Sequence, residues 1–161
     1  MIEPSLPEDR EPIARVARSA GVFDEEEALT IYELFDEFAR DPACGYNFLT
    51  YRQDGQVLGF ACWGPTPLTE GAHDLYWICA HRSAMGQGVG MALFHRVEVD
   101  CRAAGGRVLV IWTSGRSDYA PARQFYERLG CTLDGRIRDF YRPGEDLLIY
   151  SKSLLEEILR N

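Results

Sequence analysis

Six consecutive residues, Met85-Gly86-Gln87-Gly88-Val89-Gly90, carry the clearest chemical signal in the sequence. They lie between an apolar run of strand character, Leu75-Tyr76-Trp77-Ile78-Cys79-Ala80, and a run of helix character beginning Met91-Ala92-Leu93-Phe94. Glycine has no Cβ, so its backbone N–H can approach a ligand closely. The first N–H groups of a helix lack intrahelical acceptors, and the helix dipole favours negative charge there. A glycine turn that leaves a strand and opens a helix therefore suits a phosphate or pyrophosphate. His81 and Arg82, just upstream, could add positive charge. Two familiar turns of this kind do not match. Met91 stands where the dinucleotide fingerprint needs its third glycine, and no Lys-Ser/Thr pair completes a P-loop. From these residues alone, a glycine turn that binds nothing remains the competing reading.

The surrounding pattern supplies the elements that would hold such a turn. Leu6-Pro7-Glu8-Asp9-Arg10 predicts a helix start, with Ile13, Val16 and Ala17 on one face and Gly21 as the stop. Asp24 is a candidate N-cap for a second helix, whose stripe is Ala28, Ile31, Leu34, Phe35 and Phe38. That helix ends before Asp41-Pro42. Strands at 47–52 and 57–63 flank Asp54-Gly55, a hairpin signal. Residues 74–80 read as a third strand, apolar enough to be buried on both faces. The helix after the glycines carries Val89, Leu93 and Val97 on one face and a Glu98–Arg102 pair on another, and Gly105-Gly106 stops it. A strand at 107–112 follows, then a helix capped by Ser117 or Asp118 and running through Leu129. Strands near 131–140 and 146–152 complete the chain, with a short strand at 1–3 weakly signalled. The order α-α-β-β-β-α-β-α-β-β predicts an α/β fold, a mixed sheet with helices on both faces, in one domain over residues 1–161.

Composition narrows the function class. With 46% apolar and 26% charged residues, the chain is of the globular type. Seventeen basic against twenty-five acidic residues give a net charge of −8, which lacks the basic footprint of a nucleic-acid binder. This field repels anions and suits a cationic substrate such as an amine. No apolar run is long enough to span a bilayer, and Met1-Ile2-Glu3-Pro4 lacks the features of a secretory signal. Cys44, Cys62, Cys79, Cys101 and Cys131 are scattered and odd in number, which predicts reduced thiols in the cytoplasm. The histidines are equally scattered, so no metal site is expected.

Two motifs together carry a family resemblance. The turn follows the [RQ]-x-x-G-x-[GA] pattern at Gly88 and Gly90, and Ala122-Arg123-Gln124-Phe125-Tyr126-Glu127-Arg128-Leu129-Gly130, about thirty residues on, matches A-x-x-F-Y-x-x-x-G. With this element order the chain resembles the GNAT superfamily of N-acetyltransferases, which transfer acetyl from acetyl-CoA to an amine. The resemblance implies a three-layer sandwich around a mixed, mostly antiparallel sheet, with acetyl-CoA as cosubstrate. It implies that the backbone of Ile78, Cys79 and Ala80 pairs with the pantetheine arm. Met85, Gly86, Gln87, Gly88, Val89, Gly90 and Met91 would then cradle the pyrophosphate. Tyr126 would protonate the departing thiolate, and Asp74 would take the ammonium proton through water, with His73 and Glu70 as alternatives. The sequence departs from the family pattern twice. Met85 replaces the usual Arg or Gln, and Tyr119 replaces the usual Asn, leaving only its hydroxyl to reach the pantetheine.

The resemblance further implies direct attack in a ternary complex, without an acyl-enzyme. Cys79 reads as a buried strand residue rather than a nucleophile. A non-catalytic acyl-CoA sensor is the alternative. The stretch Asp139–Asp146, with Trp63 and Tyr32, could line an amine pocket, whereas His95 is an ordinary helix residue. The acceptor stays open among small amines, amino acids, antibiotics and protein N-termini, and exposed strand edges leave room for a homodimer.

Overall fold

The computed structural model describes residues 1–155. A strand β1 (Ile2–Pro4) and one 3₁₀ turn lead into helices α1 (Arg10–Ala20) and α2 (Glu25–Arg40). The expected cap at Asp24 is present and is reciprocal. Asp24 Oδ1 accepts from the Glu27 N–H at 2.8 Å, while the Glu27 carboxylate accepts from the Asp24 N–H at 2.9 Å. The hairpin β2 (Asn47–Gln53) and β3 (Gln56–Pro65) turns at Asp54-Gly55, both with positive φ, as its sequence predicts. Strand β4 (Ala72–Ala80), helix α3 (Val89–Ala103), strand β5 (Val108–Ser114), helix α4 (Ala120–Arg128) and the hairpin β6 (Thr132–Arg142) and β7 (Glu145–Ser153) follow.

The seven strands form one sheet in the order β1-β2-β3-β4-β5-β7-β6. Every neighbouring pair is antiparallel except β4–β5, whose parallel alignment requires the crossover through α3. One apolar cluster, including Leu93, Phe94, Val97 and Tyr126, lies on the α3 and α4 face. A second, built on Val16, Ile31, Phe35 and Phe60, lies under α1 and α2. Helices thus cover both faces of a mixed, mostly antiparallel sheet. No helix of the described residues is long and apolar enough to cross a membrane.

Two irregularities position everything that follows. The β4–β5 ladder joins only Ala72–Leu75 to Val108–Ile111, so beyond Leu75 the two strands diverge. The rest of β4 has no neighbour on that side. The second irregularity is a bulge in β4, where Trp63 faces Leu75 and Cys62 faces Trp77, leaving Tyr76 as the extra residue. Leu75 and Ile78 therefore both face α3, whereas Trp77 and Cys79 face α1 and α2. The sequence predicts β4 buried on both faces. In the structure Leu75 and Cys79 are buried, but Tyr76, Trp77 and Ile78 are only half-buried, because they wall the space opened by the divergence.

The start of α4 also differs from expectation. Ser117-Asp118-Tyr119 forms a separate 3₁₀ turn, and neither Ser117 nor Asp118 caps the helix. The Asp118 carboxylate is taken instead by the Arg116 guanidinium at 2.9 Å.

Candidate functional site

The divergence of β4 from β5 opens a cleft of about 1260 Å³. That exceeds the several hundred to about 1,000 Å³ typical of a single drug-sized ligand, so there is room for a long ligand and a second molecule. One wall is largely backbone. Ile78, Cys79 and Ala80 present the unpaired edge of β4 along it. The edge leads to the glycine turn, where Gly86 and Gly88 take φ of 75° and 85°, a region that a side-chain-bearing residue rarely adopts. Gly88 is the N-cap of α3, and the N–H groups of Val89, Gly90 and Met91 are the first of that helix. By helix geometry they have no intrahelical acceptor and point toward the cleft end of the helix axis.

Gly90 meets a different requirement. A Cβ there would lie 3.4 Å from the Phe125 ring, an ordinary contact, so only a side chain larger than alanine's would press on α4 where it packs against the first turn of α3. Met85, half exposed, and Met91 both border the cleft. Gln87 does not. Its side-chain amide donates to the Ser83 carbonyl at 2.9 Å, which stiffens the turn from outside. His81 and Arg82 are also outside the lining. The His81 ring binds back onto Ser83, and the Arg82 N–H is bonded to the Ser19 hydroxyl. The cation that borders this end is Arg128, at the C-terminus of α4. Sequence reasoning passed over it because it falls at an unassigned position of the A-x-x-F-Y-x-x-x-G motif.

Tyr126 and Asp74 reach the cleft from opposite faces of the sheet. Tyr126 is buried on α4, its ring 5.6 Å from Phe125 and 6.1 Å from Tyr150. Burial, with minor contributions from the Cys131 and Cys79 thiols, holds its phenol well above the usual value near 10, so it stays protonated through the physiological range. Asp74 stands where the ladder ends, its Oδ2 accepting from the Thr66 hydroxyl at 2.7 Å. Cys79 also lines the cleft, but burial pushes its thiol up to about 12. It is therefore a poor thiolate nucleophile at neutral pH.

The alternative bases lie elsewhere. His73 is buried on the α3 face, with its ring 5.6 Å from Trp63 and its Nδ1 against Gly106. Glu70 offers only its carbonyl, to Arg107, outside the lining. Trp63 is part of the core, and Tyr32 lies on the outer surface beneath the Arg10 and Arg18 guanidinium groups. Neither reaches the cleft. His95 bonds to Glu98, which is buried and also held by Lys152 at 2.6 Å.

The other wall is made of side chains from three separated segments. Asp24 and Glu27 come from the start of α2, Trp112, Arg116 and Tyr119 from β5 and the turn after it, and Tyr141, Arg142 and Glu145 from the β6–β7 hairpin. Of the stretch 139–146, Phe140 turns away from the cleft and stacks edge-on against Trp112. Tyr119 donates toward Glu27 Oε1 at 3.3 Å, and the Arg116 guanidinium sits 5.2 Å from the centre of its ring. Desolvation, reinforced by Glu27, raises the Tyr119 phenol well above its ordinary value. Its hydroxyl is thus engaged with α2 rather than with the β4 edge. Among the described residues, no group of three or more His, Cys, Asp or Glu side chains is arranged to hold a metal.

Comparison with known proteins agrees with this geometry. The acetyltransferase (GNAT) family model matches residues 10–131. A Desulfovibrio desulfuricans protein assigned to the GNAT acetyltransferases is 42% identical, with a TM-score of 0.93 over 96% of this chain and 99% of that one. The ribosomal-protein-S18-alanine N-acetyltransferase of Escherichia coli shares the fold at 21% identity, with a TM-score of 0.76 over 99% and 97% of the two chains. So does an aminoglycoside 6'-N-acetyltransferase complexed with coenzyme A, at 13% identity and a TM-score of 0.77 over 97% and 98%. No curated protein matches the sequence.

Proposed function

Because the chain belongs to the GNAT acetyltransferase family, we propose that it transfers the acetyl group of acetyl-CoA to a primary amine by direct attack in a ternary complex. One observation carries this reading. The unpaired β4 edge runs straight to the first N–H groups of α3, with Tyr126 bordering the same space. A strand edge, an anion cradle and a proton donor in that order fit a long anionic thioester. When bound, acetyl-CoA supplies the activated acetyl group.

The chain's own residues supply the rest. The backbone of Ile78, Cys79 and Ala80 would pair with an extended ligand as a further strand does. The N–H groups of the glycine turn and of Val89–Met91 would bind phosphate oxygens, and Arg128 would add charge at that end. Asp74 would draw the amine to the floor of the wedge and take its proton through water. Tyr126, kept protonated by burial, would donate to the departing sulfur. The raised Cys79 thiol argues for direct attack rather than an acyl-enzyme. The five free cysteines fit a reducing, cytoplasmic setting, and the motifs fit one transferase domain over residues 1–161.

The second reading is an acyl-CoA sensor, favoured by Tyr119, whose hydroxyl is committed to α2. Release of free thiol from acetyl-CoA across a panel of amines separates the two. Amine-dependent release is expected. Tight coenzyme binding with no release from any amine would leave the sensor.

A further inference from the structure

Glu145 is the least explained polar group in the cleft. Only 6% of it is exposed, yet it lines the side-chain wall. One oxygen, Oε1, accepts from the Ser114 hydroxyl at 2.9 Å and lies 3.6 Å from Arg116. The other, Oε2, is buried without a properly directed hydrogen bond. Its nearest cation is the Arg142 Nε at 3.0 Å, close enough for charge but misaligned. Arg142 itself is more than half exposed and also reaches Asp24 at 3.5 Å. A buried carboxylate without full hydrogen bonding is costly, so the arrangement favours a better-placed cation.

We propose that Glu145, with Asp24 beside it, is a subsite for a second ammonium group of the acceptor, which is therefore a diamine or polyamine. Arg142 occupies this place in the free protein and swings into solvent when the ligand's distal ammonium arrives. The reacting amine lies at Asp74, and an alkyl chain spans the cleft past the half-buried Tyr76 and the exposed Trp112. Among the described residues, carboxylates outnumber guanidinium groups along the lining, and the only lining arginine besides Arg116 and Arg142 is Arg128, at the coenzyme end. Placing the reacting amine at Asp74 rests on the acetyl-transfer reading, but occupancy at Glu145 can be measured without turnover.

Calorimetric titration of the coenzyme A complex with n-butylamine, a series of α,ω-diamines, spermidine and lysine tests this. The best diamine or spermidine is expected to bind at least about tenfold more tightly than butylamine, and Glu145→Gln to erase most of that advantage while weakening butylamine less. Arg142→Ala, which clears the placeholder, is expected to strengthen diamine binding. Equal affinity for mono- and diamines overturns the subsite, as does an equal loss for all ligands in Glu145→Gln. Tightest binding by lysine also overturns it, assigning Arg116 and Arg142 to a carboxylate instead. If Glu145→Gln does not fold, the wild-type panel and Arg142→Ala still decide. Diamine binding without thiol release would sink the transferase reading and leave the subsite standing.

Discussion

From the β4 edge to the start of α3, the cleft offers a ligand backbone N–H and C=O groups; across from it, the segments at 22–27, 112–119 and 141–145 offer charged and aromatic side chains. The first wall depends on conformation. Its donors survive side-chain replacement, so Met85 can stand at the position where the family pattern has Arg or Gln. The second wall depends on side-chain contacts between distant segments, such as the Arg142–Asp24 ion pair and the Tyr119–Glu27 hydrogen bond. A few substitutions would rearrange it. A common cosubstrate and a variable acceptor call for this division: a fixed wall for one and an adjustable wall for the other.

The sharpest break expected is at Tyr126, the proposed proton donor. Tyr126→Phe should lower turnover by about 10²–10⁴-fold while leaving coenzyme affinity nearly intact, because only the proton donor is removed. Full turnover in that variant would remove Tyr126 from the chemistry. On the backbone wall, Gly88→Val should weaken coenzyme binding by about a hundredfold, since a β-branched residue at φ of 85° carries roughly 1–3 kcal/mol of strain and disturbs the cradle. Gly90→Val should instead show first as a lowered melting temperature, through the Phe125 ring. If the two variants behave alike in binding and melting, the distinct roles of the glycines are lost.

The side-chain wall should fail first in acid. Asp24 is held below the usual carboxylate range by the Glu27 N–H and then by Arg142. Asp118 is held down by Arg116, and Asp146 by the Asp139 N–H and then Arg136. A carboxylate depressed in the folded state stabilises above its unfolded value of about 3.9 and loses that contribution as pH falls through its lower folded value. Hydrogen exchange at 22–27 and 141–146 should therefore accelerate below about pH 4, ahead of the glycine turn. High salt should produce part of the same effect, because these pairs are exposed. Uniform acceleration along the chain would erase the contrast. The smallest effect should be Met85→Ala, within about twofold in coenzyme affinity; a loss comparable to Gly88→Val would mean the side chain, not the backbone, holds the ligand.

The same division governs what could be read from sequence. The backbone wall was legible because its parts are contiguous: strand, glycines and helix follow one another, and Asp24 and Asp54-Gly55 signal their cap and turn locally. The side-chain wall was legible only in its hairpin, where Tyr141, Arg142 and Glu145 of the stretch expected near an amine pocket do line the cleft; its other members meet only through the tertiary fold. Nothing near Glu145 indicates that it is buried. The bulge at Tyr76 is also invisible along the chain, since it is a mismatch with β3, yet it decides which face each β4 residue occupies. His73 looked like a cleft residue by proximity to Asp74, and periodicity could not separate pocket from core for Trp63; both belong to the core by face. Arg128 was missed because the motif assigns it no role, although one turn of helix brings it to the coenzyme end.

The parallel ladder between β4 and β5 is only four residue pairs long, from Ala72 with Val108 to Leu75 with Ile111. Mechanically it is a short weld between two plates, β1–β4 with α1 and α2 on one side and β5–β7 on the other, tied otherwise by the packing of α3 and α4 and by the Tyr119–Glu27 and Arg142–Asp24 contacts across the cleft. An extended ligand bonded along Ile78–Ala80 would lengthen that weld by acting as a strut between the plates. Coenzyme would then couple the unfolding of the two halves as well as fill a pocket, and the melting transition should sharpen as it rises.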